Sequence, residues 1–276
     1  MKLTDDNYYS PDANLTWVDY STYKNFVGTA AVSGCEARGL ALASGEIITE
    51  PTTSLLMGSY VDESLTGDIG RFKRDHPQLF SSRGPTKGEL KSDYIQAQVM
   101  VDRAKRDDLF MSYMEGQKQR IMTGKIGGIP VRIKMDVYQP DGESPRIVDL
   151  KTCKSITELN YSPEKRQWLD FISFNGYLGQ AAFYQEVVAQ NTGKRLPFYI
   201  AAISKDKTNF TPHPRIAVIE LPQEQMDTEL EIIKDRLPMI KAILDHEINP
   251  VPCMRCDYCA DTYQTDRVIG LGDLYE

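Results

Sequence analysis

No run of about 18 apolar residues, the length a membrane-spanning helix needs, occurs anywhere in the sequence. The opening stretch, MKLTDDNYYSPDANLTW, lacks an apolar segment of signal-peptide length. A cytoplasmic protein with no membrane partner is the expectation. Cysteine is scarce and odd in number, five in all, which argues against a disulfide framework in a chain without an export signal. Histidine is scarcer still, and His76, His213 and His246 show no ligand spacing. There is no repeat period and no low-complexity tract, which excludes solenoids and disordered arrays. Positive charge is not in excess either: the formal net charge is -7, so a nucleic-acid contact would have to be a local patch.

What remains is an ordinary globular composition, 41% hydrophobic and 26% charged over 276 residues. A chain of this size buries roughly 75% of its unfolded surface and needs no staples to fold. No compositional break marks a linker, so residues 1-276 read as one domain. Helices are expected at LTWVDYSTYKNF, with Ser21 or Thr22 as cap, and through TTSLLMGSYVDESLTGDIGRFKRD, interrupted at Gly58-Ser59. Another is expected over SDYIQAQVMVDRAKRDDLFMSYMEG, with Ile95, Val99, Ala104 and Leu109 as its apolar stripe. From Lys118 the pattern turns to alternation, KQRIMTG, IPVRIKMDVYQ and RIVDLKT, which predicts a meander of three antiparallel strands. A long helix from Glu164 to a stop at Gly193 follows, then strands at RLPFYIAAISK and RIAVIEL. An amphipathic helix carrying Pro238 and a cysteine-bearing tail complete the chain. The pattern is α/β: a central mixed β-sheet with an antiparallel hairpin core, flanked by helices on both sides.

Asp136 and Asp149 fall on the second and third meander strands, thirteen residues apart, where a tight turn can bring them face to face. Lys151 lies two residues beyond Asp149 and therefore on the same strand face. Two carboxylates crowded together repel, and a divalent cation relieves that repulsion. Mg2+ or Mn2+ would take its oxygen ligands from such a pair and from a substrate phosphate, and a lysine beside them can hold the attacking water. A bare D-x-K is far more often a plain strand-end pair.

The hairpin GGIPVRIKMDVY, the strand VDLKT and the helix GQAAFYQEV, in that order, resemble the PD-(D/E)xK nuclease superfamily, in particular its RecB-like and RecE-like phage exonucleases. The likeness is strongest from Gly127 to Tyr184. It implies a restriction-endonuclease-like fold, with Asp136 and Asp149 as Mg2+ ligands and Lys151 as the catalytic lysine. It also implies a Q-x-x-x-Y pair, Gln180 and Tyr184, completing the site from one helical face. In the place where the family carries a G-x-x-x-H ligand, this chain has Gly58 followed by Asp62, with Glu63 as a rival. The resemblance implies DNA as substrate. A single-strand annealing recombinase and further copies of the chain are its candidate partners.

Cys253, Cys256 and Cys259 are spaced by two residues each, a pattern that suits an iron-sulfur cluster better than the separated pairs usual for zinc. By the same resemblance Cys35, which follows an S-x-Y-x-x-F segment, is their fourth partner, as in the iron-sulfur members of the RecB-like group. A 4Fe-4S cluster is the expectation and Zn2+ the alternative. Cys153 stands apart as a buried small residue. Among the basic residues, those on the strands beside the two aspartates, Arg132, Lys134 and Arg146, are expected against phosphates. The resulting reading is a metal-dependent DNA exonuclease of phage or prophage recombination or of repair. A non-cutting DNA-binding or partner-recruiting module, or an endonuclease, would share the same fold.

Overall fold

The computed structural model describes residues 2–264, 268 and 270. The chain opens with α1 (Pro11–Thr16), α2 (Tyr20–Val27), α3 (Glu36–Ser44) and α4 (Thr53–Leu65), followed by α5 (Ile69–Asp75), α6 (Ser92–Lys105) and α7 (Asp108–Tyr113). The meander is β1 (Gln117–Ile126), β2 (Ile129–Gln139) and β3 (Arg146–Cys153). A small hairpin, β4 (Asn160–Ser162) and β5 (Gln167–Leu169), precedes α8 (Phe171–Asn175) and α9 (Tyr177–Thr192). Then come β6 (Phe198–Ser204), a second small hairpin of β7 (Lys207–Thr208) and β8 (Thr211–Pro212), β9 (Ile216–Glu220), α10 (Gln223–Leu244) and α11 (Asp257–Thr262).

The main sheet has the order β1-β2-β3-β6-β9. Its β3–β6 pair is parallel and the others antiparallel, as expected of a mixed sheet. Because β3 and β6 are central, both of their faces are covered, and β6 reads as an unbroken apolar run. One face packs Ile133, Met135, Ile147 and Ile200 against α2, α9 and α10. The other packs Val148, Leu150, Ala201 and Ile203 against α4, α6 and α7. No helix among the described residues is long and apolar enough to cross a membrane.

Several local expectations are corrected. Asp19, not Ser21 or Thr22, caps α2, accepting from Thr22 N at 2.7 Å. The break after α4 falls at 66–68, where Asp68 caps α5, and Gly58 and Ser59 stay helical. Gly58 is there for a different reason: a Cβ would stand 3.2 Å from Thr152 Oγ1, so α4 approaches β3 closely next to Lys151. In α6 the buried apolar residues are Tyr94, Ala97, Met100, Val101 and Ala104; of the expected stripe only Ala104 is fully buried, Ile95 is exposed, and Leu109 lies exposed on the separate helix α7. The segment expected as one long helix is a hairpin and two helices. Asp170 restarts the chain as the cap of α8, accepting from Ile172 N and Ser173 N at 2.9 Å. Gly176 separates α8 from α9 with φ of 71°, a left-handed conformation that glycine adopts without strain. Gly193 does end α9 in the left-handed conformation.

Candidate active site

β2 and β3 diverge where the two aspartates meet. Their ladder runs through Gln139–Arg146, Tyr138–Ile147 and Val137–Val148, and the next pair in that register, Asp136 opposite Asp149, lies just beyond it. In place of a backbone bond, Asp136 Oδ2 reaches across and accepts from Leu150 N at 2.8 Å. Further along β2, Val18 takes over as neighbour, donating to Pro130 O and accepting from Arg132 N, both at 3.1 Å. The other side of Asp136 is also irregular: the β1–β2 ladder omits the pair Gln119–Asp136, and Gln119 has φ of 52°. A left-handed non-glycine residue is the kind of strain that clusters at functional sites.

Asp149 is buried, 3% exposed. Its Oδ1 accepts from Gln180 Nε2 at 2.8 Å. Its Oδ2 is ion-paired with Lys151 Nζ at 2.5 Å. Lys151 and Gln180 thus cover Asp149, while Asp136 and Lys151 line an open cavity of about 910 Å³ with Asp62, Lys24, Tyr9 and Tyr177. Burial raises the carboxyl pKa of Asp136 well above the ordinary value, and the charges of Asp149 and Asp62 push it further. Burial likewise raises that of Asp62, with Glu63 and Asp149 adding to it against a hydrogen bond from Thr66. At Lys151 burial opposes the charge, but Asp149, Tyr177 and Asp136 together outweigh it and keep the ammonium more firmly protonated than usual. The protein therefore crowds carboxylates around a single ion-paired lysine. Carboxylate oxygens are the hard donors a divalent cation takes, and Asp136 and Asp62 present theirs to the cavity.

A model of the PDDEXK-like domain of unknown function, DUF3799, matches residues 19–262. The chain belongs to this PDDEXK-like family. A crystal structure from Eubacterium rectale, described as "Putative exonuclease", is 39% identical and superposes with a TM-score of 0.90. The match covers 99% of this chain and 98% of that one. No curated protein matches.

The PDDEXK-like core brings Asp136, Asp149, Lys151 and Gln180 together and sets Asp62 across the cavity on α4. Asp62 Oδ1 accepts from Thr66 Oγ1 at 2.6 Å, and Gln119 Nε2 approaches its Oδ2 at 3.5 Å. Glu63 turns away and caps the next turn, accepting from Asp68 N at 2.8 Å. Tyr184 packs edge-on to Phe198 with centroids 6.2 Å apart, and among the described residues it makes no hydrogen bond to Asp149 or Lys151. Tyr177, missed in the sequence, lies under Lys151 with Nζ 5.0 Å from its ring centroid. Its spacing of three from Gln180 on one helical face was the available signal. Lys24 on α2 and Lys205 after β6 also line the cavity, and no local pattern announces them. Burial, with Lys151 close by, lowers the Lys24 pKa.

Two of the basic residues expected against phosphates are corrected. Arg132 is fully buried, pairs with Asp19 at 2.8 Å and stacks over Tyr8. Arg146 is buried and donates to the carbonyls of Ser112 and Ser144. Strand alternation named the face without showing that other elements cover it.

The four cysteines converge. Cys35, at the N-cap of α3, joins Cys253, Cys256 and Cys259, and all four sulfur atoms lie within 4.8 Å of one another with no disulfide among them. Cys35 and Cys259 sulfurs are 3.5 Å apart, and Cys253 and Cys259 sulfurs 3.9 Å. The Arg255 backbone N–H, aided by that of Cys256, lowers the Cys253 thiol pKa to about 6, which favours a thiolate ligand. Four thiolates bonded to one tetrahedral ion at about 2.3 Å stand roughly 3.8 Å apart, which these spacings approach. Cys153 stays separate and buried, and burial pushes its thiol up to about 12.

Proposed function

We propose that this chain is a divalent-metal-dependent deoxyribonuclease that degrades DNA from its ends, in recombination or repair. One observation carries this: Asp136 and Asp149 stand opposite each other at a fork in the sheet, where the backbone ladder gives way to the Asp136 carboxylate, with Lys151 ion-paired beside them. A divalent cation bound there would polarise a phosphodiester and make its bound water more acidic. Gln180 fixes the Asp149 carboxylate from one side. Lys151 occupies the other side and offers three N–H donors to a water or to a phosphate oxygen on which charge develops. The Tyr177 ring restricts where the ammonium can go. Lys24 and Lys205 at the cavity wall supply positive charge for flanking phosphates without reading bases.

The cysteine centre is a structural Zn2+ site in this proposal, supported by the sulfur spacings rather than by any role in the reaction. An anaerobic preparation should contain one equivalent of zinc and lack the broad absorbance near about 400 nm of iron-sulfur proteins. Stoichiometric iron would reject the zinc assignment.

Linear duplex DNA with Mg2+ should release acid-soluble nucleotides, while covalently closed circular DNA should be spared. Degradation of the circle would make the protein an endonuclease. No degradation with either Mg2+ or Mn2+ would leave a non-cutting DNA-binding module.

A further inference from the structure

The β4–β5 hairpin pairs with no other strand. It is inserted between β3, which carries Asp149 and Lys151, and the helices that present Tyr177 and Gln180, so both of its ends are rooted in the candidate site. Strand alternation turns Ser162 inward, where it is fully buried, and turns Tyr161 and Trp168 outward. These two are register partners with ring centroids 5.5 Å apart and an interplanar angle of 57°. They nevertheless remain 47% and 65% exposed, and Leu159 beside them is 55% exposed. A cross-strand aromatic pair steadies a hairpin through the area the rings cover on each other. Here most of that area is still offered to solvent.

The turn at the tip carries one acidic and two basic residues, Glu164, Lys165 and Arg166, and so a net positive charge. Lys165 and Arg166 are exposed in the turn between the strands, with Arg166 in a left-handed conformation at φ of 51°. At the foot of the hairpin a cavity of about 380 Å³, lined by Lys154, Asn160 and Phe171, shares Thr152, Tyr177 and Lys205 with the catalytic cavity. A groove thus runs from Asp136 and Lys151 to the base of the hairpin.

We propose that this hairpin is a stacking platform for single-stranded DNA. Tyr161 and Trp168 take the faces of unpaired bases, and Lys165 and Arg166 take phosphates of the strand whose scissile end lies in the catalytic groove. Every base has a π-face, so such a platform tolerates any sequence, while a closed duplex keeps its base faces hidden. This rests on the nuclease function proposed above and adds an unpaired strand as the form of DNA engaged.

The test uses the full chain in buffer with no added Mg2+ or Mn2+ and no chelator, so that the cysteine centre stays loaded while cleavage is not supported, titrated with oligothymidine of about 12 nucleotides, within the usual site size for such surfaces. Trp17 is the only other tryptophan, so emission reports largely on Trp168. Binding should quench that emission, and Trp168→Phe should lose the quenching yet keep its affinity, measured by anisotropy of a labelled oligomer, within about twofold because an aromatic face remains. The double variant Tyr161→Ala with Trp168→Ala should bind about tenfold or more weakly, with an unchanged melting temperature. Unquenched Trp168 at saturation overturns the platform, and that outcome needs no variant to fold. So does unchanged affinity in the double variant, or its conversion of a dimer to a monomer in sedimentation, which would mean that a second copy covers this face. Quenching without added Mg2+ but no cleavage once Mg2+ is present would sink the nuclease function alone, and cleavage without quenching the platform alone.

Discussion

The carboxylate fork and the cysteine cluster are both polar clusters set into the body of the fold, yet they behave oppositely. The cysteines gather from positions 35 and 253 to 259 until their sulfurs are within 4.8 Å. Asp62 and Asp136 border one cavity with Asp149 covered just behind Lys151, and the three are not among the described metal-ligating groups drawn that close. Thiols are neutral when protonated and three of these sit on the tail segment around α11, so nothing resists their approach. The carboxylates repel, and Asp136 and Asp149 are held by strands whose register the rest of the sheet enforces. A structural site can be assembled by its ligands, whereas a reactive one must be imposed on them by the scaffold.

Catalysis should separate the two clusters most sharply. Lys151→Ala or Asp149→Ala should lower the rate of DNA release about 10³-fold or more, and Lys151→Ala should also melt lower without Mg2+ because the buried Asp149 carboxylate loses its ion pair. Cys256→Ser should act the other way, lowering thermal stability by about 10 °C through loss of the ion that ties the chain's tail to α3, while residual folded protein still cleaves. If Cys256→Ser abolished cleavage at full stability, the cysteine centre would be catalytic and the contrast would fail.

A smaller effect concerns charge. The pKa values of Asp136 and Asp62 are raised in the folded protein, so across the interval between their ordinary and raised values the folded state binds more protons than the unfolded one. Stability of the metal-free protein should therefore fall as pH rises through that interval, and added Mg2+ should flatten the slope. Asp136→Asn keeps an acceptor for Leu150 N and removes the charge. It should raise the metal-free melting temperature by about 2–4 °C, for roughly 1 kcal/mol, while removing activity. The smallest effect is at Gln119, whose left-handed backbone strains the strand beside Asp136. Gln119→Gly should melt a few degrees above Gln119→Ala, since both lose the contacts to Asp62 and Thr66 and only glycine relieves about 1 kcal/mol of strain.

Much was determined locally. The alternation in IPVRIKMDVYQ and RIVDLKT was enough to pair β2 with β3, and a turn of known length then places Asp136 opposite Asp149. The spacing of two between Asp149 and Lys151, and the helical position of Gln180, follow from the periods of a strand and a helix. Those periods are backbone properties, and a sequence carries them directly. Helix phase and breaks were less legible. Ile95 and Leu109 fit a stripe that burial contradicts, and residues 160–169 form a hairpin where a helix pattern could be drawn.

Tertiary packing alone decided the remainder. It buried Arg132 against Asp19 and Arg146 against carbonyls, taking both away from the cavity, and it brought Lys24, Lys205 and Tyr177 in. It chose Asp62 over Glu63, because α4 turns one toward β3 and the other toward the next cap. It also drew Cys35 to within 4.8 Å of the three tail cysteines. Sequence periodicity tells which way a side chain leaves its own backbone. What it meets there depends on residues a hundred or more positions away, and only the packed chain brings them into place.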